Sequence, residues 1–278
     1  MAVEQFVDRE PAPALRPFIG RSIGYRLFGL ASGLHRGLPS QNMTLIFSIG
    51  PEIDIVSQTS PGHDPRRYRS VVGGLHDSPA VIAHDGNQEG VAIQLSPLGS
   101  RALFGYPAAE LWSLALEADE VLGSHGRELS ERLHETDDWD QRFTACDQVF
   151  SRLIRERSVA PELAGAWQTL VRSGGRIGVS DLAVEVGYTR QHLRHRFTQE
   201  FGLGPKRAAR LIRFDRAAAT ILKRISPFPS IAQIAVACGY YDQAHLHRDF
   251  ASLAGCTPAE LADGDLPIVQ DQPASAAR

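Results

Sequence analysis

Two stretches of the chain, residues 179–197 (VSDLAVEVGYTRQHLRHRF) and 231–250 (IAQIAVACGYYDQAHLHRDF), spell out one pattern. Each pairs an aliphatic residue with Ala (Leu182-Ala183, Ile234-Ala235), continues through Gly-Tyr (Gly187-Tyr188, Gly239-Tyr240), closes on Phe197 or Phe250, and meets Pro205 or Pro258 eight residues later. Two helices that cross closely need a small residue in the first and, in the turn, one that tolerates positive φ. Ala183 with Gly187, and Ala235 with Gly239, meet both demands. The repeat reads as a duplicated helix-turn-helix, at 178–200 and 230–253.

The second helix of each copy has a polar outer face. In the first, Thr189 is a candidate N-cap, Leu193 and Phe197 face the core, and Arg190, Gln191, Arg194 and His195 face out. In the second, Ser230 and Gln233 have capping-box spacing and open the helix from Ile231 to Cys238. Leu246 and Phe250 are then buried, and Gln243, Ala244, His247 and Arg248 face out. His245 and His247 are two apart on a helix, so they diverge and do not converge on a metal. A recognition helix lies in the major groove, where Arg can bond guanine bidentately and Gln can bond adenine. Between the copies, residues 205–224 form one long helix with Leu211, Phe214, Ala218 and Ile221 in a stripe. If it separates the readers by ~34 Å, both enter successive major grooves of double-stranded DNA. Lys206, Arg207 and Arg210 are candidate phosphate contacts on that helix, followed by Arg213, Lys223 and Arg224.

Charge divides along the same line. Residues 160–262 carry 13 Lys plus Arg against 8 Asp plus Glu, a net of +5, whereas residues 1–159 carry 15 against 21, a net of −6. A basic module suited to phosphate is joined to an acidic one. With 278 residues the chain exceeds the usual domain size, and two domains are expected. No apolar run approaches the ~18 residues of a membrane span, and the N-terminus lacks the pattern of a secretory signal. Three scattered cysteines (Cys146, Cys238, Cys256) argue against a disulfide framework or a zinc site and fit a reducing cytoplasm.

The acidic half opens with short apolar runs at 23–28, 43–50, 53–56, 68–75, 79–86 and 90–97, broken by turn residues. That spacing predicts a small β-barrel, with the polar stretch 85–90 (DGNQEG) as a hairpin connection. Residues 107–123 place Leu111, Leu114, Ala115 and Ala118 at helical spacing, and residues 138–158 carry a stripe of Phe143, Cys146, Val149, Phe150, Leu153 and Ile154. That stripe can pack on its own barrel or meet its twin in a dimer. His35, His63, His76 and His84 are dispersed, and no nucleophile, phosphate-loop or dinucleotide motif occurs. Gly73-Gly74-Leu75-His76-Asp77 is either a pocket mouth or a Gly-rich corner between strands. No catalytic residue, metal site or cofactor is expected, and a binding pocket or scaffold fits better.

The residues 160–262 resemble the C-terminal DNA-binding domain of AraC/XylS-family transcription regulators. The resemblance rests on LA-x3-GY-x4-L-x3-F-x3-FG-x2-P in the first copy and IA-x3-GY-x-DQ-x2-L-x-R-x-F-x7-P in the second, joined by a helix bearing Arg213, Phe214 and Ala217. It implies seven helices, base contacts from Gln191, Arg194 and His195 and then from Gln243, Ala244, His247 and Arg248, and an N-terminal cupin-like sensor of small molecules. Three positions depart from the family pattern: His195 stands where Arg is common, Ala208-Ala209 replace larger residues and thin the packing, and Ala244 offers only apolar contact. The expected fold class is α+β, with a cupin-like β-barrel at 1–105, a helical extension for dimerisation and linkage at 106–158, an all-α double helix-turn-helix domain at 159–262 and a disordered tail at 263–278. The expected function is a sequence-specific bacterial transcription regulator responding to a small-molecule effector. Its expected partners are DNA, that effector, a second copy of the chain and, if it activates, RNA polymerase; no membrane is involved. Two other readings fit the same residues: a ligand-independent regulator whose N-terminal half only dimerises, and a cupin-type enzyme with a DNA-binding appendage.

Overall fold

Period-two alternation turns the first half of the chain into ten antiparallel strands, and a computed structural model describes residues 2–60, 62–223 and 229–263. The strands are β1 (Val3–Arg9), β2 (Ile19–Phe28), β3 (Gly33–Gly37), β4 (Met43–Ser48), β5 (Ile53–Ser57), β6 (Arg66–Tyr68), β7 (Ser70–Gly73), β8 (Ala80–His84), β9 (Gln88–Leu95) and β10 (Ala115–Glu117). They form a six-stranded sheet in the order β1-β2-β9-β4-β7-β10 and a four-stranded sheet in the order β3-β8-β5-β6. Along β4, Met43, Leu45 and Phe47 pack into the core shared with the helices, while Ile46 and Ser48 face the second sheet. The inner face of the first sheet thus looks across at His35, Ile82 and His84.

Two local expectations fail here. Residues 85–90 do not close a hairpin: β8 pairs with β3 and β5, β9 pairs with β2 and β4, and the chain crosses between sheets at this point. Residues 107–123 are not one helix. A short 3-10 turn (Ala108–Leu111) is followed by Ser113 at φ 54, by β10 on the edge of β7, and by α2 (Ala118–Leu122). Glu117 sets this path, its carboxylate accepting the Arg69 and Ser70 amides at 3.0 and 3.1 Å. The glycine-rich stretch 73–77 is the corner between strands: a Cβ on Gly74 would fall 1.7 Å from the Leu111 carbonyl oxygen.

Helices α1 (Ser100–Leu103), α3 (Ser124–His134) and α4 (Trp139–Leu153) cover the outer face of the six-stranded sheet. The stripe on α4 is spent inside the chain, because Phe143, Cys146, Val149, Phe150 and Leu153 are buried in one cluster with Leu45, Val91 and Ile93. It therefore packs on its own barrel and is closed to a twin.

Seven helices follow among the described residues: α5 (Pro161–Arg172), α6 (Val179–Glu185), α7 (Arg190–Phe201), α8 (Pro205–Leu222), α9 (Ile231–Ala237), α10 (Gln243–Leu253) and α11 (Pro258–Ala262). Trp167 on α5 anchors the first copy, its ring 5.8 Å from Phe197 and 4.7 Å from Phe201. Phe214 on α8 anchors the second, 5.0 Å from Phe250. Ala208 and Ala209 are buried, and the small side chains let the Gly175 turn approach so closely that a Cβ there would lie 2.2 Å from the Ala209 carbonyl oxygen. The architecture is the expected α+β one, a two-sheet β half with flanking helices and an all-α half with two helix-turn-helix motifs joined by a linker helix. Cys146, Cys238 and Cys256 are free and buried. Arg224 and residues 264–278 of the expected tail lie outside the described residues.

Candidate nucleic-acid interface

Each reading helix starts on a side chain that caps it. Thr189 accepts the His192 amide at 3.2 Å, and Asp242 accepts the His245 amide at 2.6 Å. Ser230 and Gln233 form the full capping box on α9, while Gly178 gives α6 no side-chain cap. In both copies the turn glycine has positive φ, 71° at Gly187 and 81° at Gly239, a conformation that would strain a residue with a Cβ. A second symmetry joins the turn to the helix: His192 meets Tyr188 edge-to-face at 4.5 Å, and His245 meets Tyr240 likewise at 5.1 Å. His245 is thus part of the packing and His247 points to solvent.

With Leu193, Phe197, Leu246 and Phe250 wholly buried, the opposite faces of α7 and α10 are free. Arg190, Gln191, Arg194 and His195 are exposed, as are Gln243, Ala244, His247 and Arg248. Arg190, Gln191 and Arg194 share a groove with Lys206 and Arg207, where the start of α8 faces α7. Five cationic or amide side chains so converge on one concave surface, and among the described residues only Arg207 of the five is paired with a carboxylate.

The linker-helix candidates separate. Lys206 is exposed. Arg207 is paired with Asp77 of the β half and lies over the Trp112 ring at 5.2 Å. Arg210 donates to Asp249 at 2.7 Å, so it ties α8 to α10. Arg213 donates to the Gly175 carbonyl at 2.5 Å and sits 5.9 Å from the Tyr240 ring, a structural assignment in place of the expected phosphate contact. Two features of the interface escaped the sequence reading. Tyr241 is 91% exposed just ahead of the α10 cap, and Arg196 is exposed on α7 beside the named residues. The signal for Tyr241 was present in the spacing, since the second copy has one residue more between Gly239 and Leu246 than the first has between Gly187 and Leu193.

The β half touches this surface from behind. Arg101 on α1 holds Glu200 near the end of α7 through both carboxylate oxygens, at 2.7 and 2.8 Å. Trp112 lies under the turn at Gly202, where a Cβ would approach its own Cβ to 2.8 Å.

Residues 182–264 match a family model described as a helix-turn-helix domain. Residues 182–264 therefore form a DNA-binding domain of the helix-turn-helix kind. Residues 8–117 match a second model, a domain of unknown function (DUF6597). No curated protein matches the chain. Among solved structures, ToxT from Vibrio cholerae has the same two-part fold at 14% identity, with a TM-score of 0.53 over 87% of this chain and 97% of ToxT. ToxT with a bound unsaturated fatty acid is similar at 13% identity and a TM-score of 0.53, over 91% of this chain and 96% of that one. An AraC-type transcriptional regulator from Chromobacterium violaceum shares 28% identity over 37% of this chain and 90% of its own, with a TM-score of 0.34. Among the described residues, no three His, Cys, Asp or Glu side chains cluster as metal ligands, and no helix is long and apolar enough to cross a membrane.

Proposed function

We propose that the chain reads a specific double-stranded site with α7 and α10 and changes its grip when a small molecule occupies its β half. The observation that carries the first part is the pair of exposed faces, Arg190, Gln191, Arg194 and His195 on one helix and Gln243, Ala244, His247 and Arg248 on the other, each set against a wholly buried Leu-Phe ridge. Gln191 and Arg194 choose bases in the first half-site, and Gln243 and Arg248 in the second. His195 and His247 reach bases or phosphate, Ala244 meets a thymine methyl, and Lys206 with Arg190 holds phosphate. Arg207 reaches phosphate only after leaving Asp77, and Arg210 stays with Asp249.

The second part is supported by a cavity of about 510 Å³ between the two sheets, within the usual range for small-molecule sites. A fatty acid bound to the similarly folded ToxT supports the same reading. The regulator acts in the bacterial cytoplasm. Selection of bound duplexes from a random pool tests the reading. It is expected to enrich two half-sites about one helical turn apart, with affinity falling steeply as salt rises because phosphate contacts release counterions. Recovery of unrelated duplexes with no shared element would refute site-specific reading.

A further inference from the structure

The cavity between the sheets is unevenly furnished. Its acids are engaged: Asp54 accepts from Arg67 at 3.2 Å, Glu52 lies 3.6 Å from Arg69, and Asp85 accepts the Asn87 amide at 2.9 Å. Its imidazoles are not. His35 on β3 and His84 on β8 face each other with ring centroids 5.6 Å apart, and the Nδ1 of each is buried without a hydrogen-bond partner. Burial, with the neighbouring His84, lowers the His35 pKa to about 4, and burial lowers that of His84 as well. Across the gap the Tyr25 hydroxyl lies over Gly90, where a Cβ would come within 2.7 Å of it; burial first, and then Glu89, raise its pKa, so it stays a protonated donor. Ile46, Ile53 and Ile82 supply an apolar part of the wall, and Arg36, Ser48 and Gln88 line the cavity beside them. Buried polar atoms left unpaired are rare and destabilising, and a carboxylate, which only accepts, can satisfy both imidazoles, in the tautomer that carries the proton on Nδ1, and a hydroxyl at once.

The strands that carry the two histidines also run to the second helix-turn-helix. Three residues after His35, Leu38 is 3% exposed and belongs to the cluster of Phe214, Phe250, Leu253 and Cys256. Gln41 then donates its amide to Asp215 on α8 at 3.2 Å. Ahead of β8, Pro79 sits where a Cβ on Gly255 would touch it at 3.7 Å.

Resting on the reading that this cavity holds the effector, we propose that His35 and His84 select a small molecule with one carboxylate head and an apolar body, and that β3 passes its arrival to the second helix-turn-helix through Leu38 and Gln41. The imidazoles donate from Nδ1 to the carboxylate, the isoleucines take the body, and movement of β3 shifts the core under α10. The first reader, anchored on Trp167 through a separate set of rings, is less affected.

The test uses the full chain and a panel of short alkanoates and aryl acids, each with its primary amide, in thermal shift and calorimetry. Acids are expected to raise the melting temperature and to bind at least about tenfold tighter than their amides. His35→Asn and His84→Asn, each checked for folding by circular dichroism, should erase that preference. Leu38→Ala should leave acid binding in place while abolishing the acid's effect on DNA affinity, and Leu38→Met, which keeps the volume, should restore it. Amides that bind as tightly as acids would overturn the ligand class while leaving an effector cavity standing. Silence of the whole panel together with a broad set of neutral and cationic metabolites would remove the effector reading and the proposal together. An undiminished effect on DNA in Leu38→Ala would overturn the route through β3.

Discussion

Replacing Arg101 with Met tests how the β half is fastened to the reading helix. Arg101 donates to Glu200 through Nε and Nη2, and Glu200 has 6% of its side chain exposed against 33% for Arg101. Removing one member of a buried pair costs about 3–5 kcal/mol, because the other charge is left uncompensated. The partial exposure of Arg101 lets water reach the pair and reduces this to about 2–4 kcal/mol. The loss should come chiefly from stranding Glu200, so Arg101→Met combined with Glu200→Gln should recover more than half of it. Urea unfolding of the wild type, both single variants and the double variant gives the coupling directly. A loss below about 0.5 kcal/mol in Arg101→Met, or a double variant no more stable than the single, would refute the claim that a buried charge pair joins the two halves.

Two further outcomes follow from the same contacts. Asp215 has its pKa raised to about 6, by burial above all, while the Gln41 amide pulls the other way. A raised carboxyl contributes stability below its unfolded value that is lost as pH rises through the folded one, so Asp215→Asn should match wild type near pH 4 and exceed it above pH 7 by up to about 3 kcal/mol; a difference that does not change with pH in urea unfolding would contradict this. Gly187→Ala and Gly202→Ala both place a Cβ at positive φ, but only Gly202 meets a neighbour, Trp112 at 2.8 Å. Both should lose about 1 kcal/mol to strain, and Gly202→Ala should lose more and free Arg207 from Trp112; equal melting temperatures would show that the Trp112 contact carries no weight.

Much of the exposed face of α7 and α10 was legible because its signals are local. Thr189 and Asp242 cap helices three residues ahead of the amides they accept, and Leu193 with Phe197 marks the inner face by spacing alone. The fates of Arg207 and Arg210 were not legible, since their partners lie 130 residues before and 39 after. Among the strands, β3 (GLHRG) carries no apolar alternation because it is largely exposed, and its one informative residue, His35, faces a cavity that only the pairing of β3 with β8 creates. The helix expected at 107–123 failed because periodic leucines survive a change of direction at Ser113 that sequence spacing cannot register. The α4 stripe was read correctly as apolar, and only the packed structure shows that strands of its own sheet fill it.

The central claim, base reading by two unequal helices, is tested most directly by measuring Arg194→Ala and Arg248→Ala on the selected site and on a random duplex. Each substitution should cost about 1–3 kcal/mol on the selected site, relax preference at one base position, and leave binding to the random duplex within a few tenths of a kcal/mol. Equal losses on both duplexes would contradict the account.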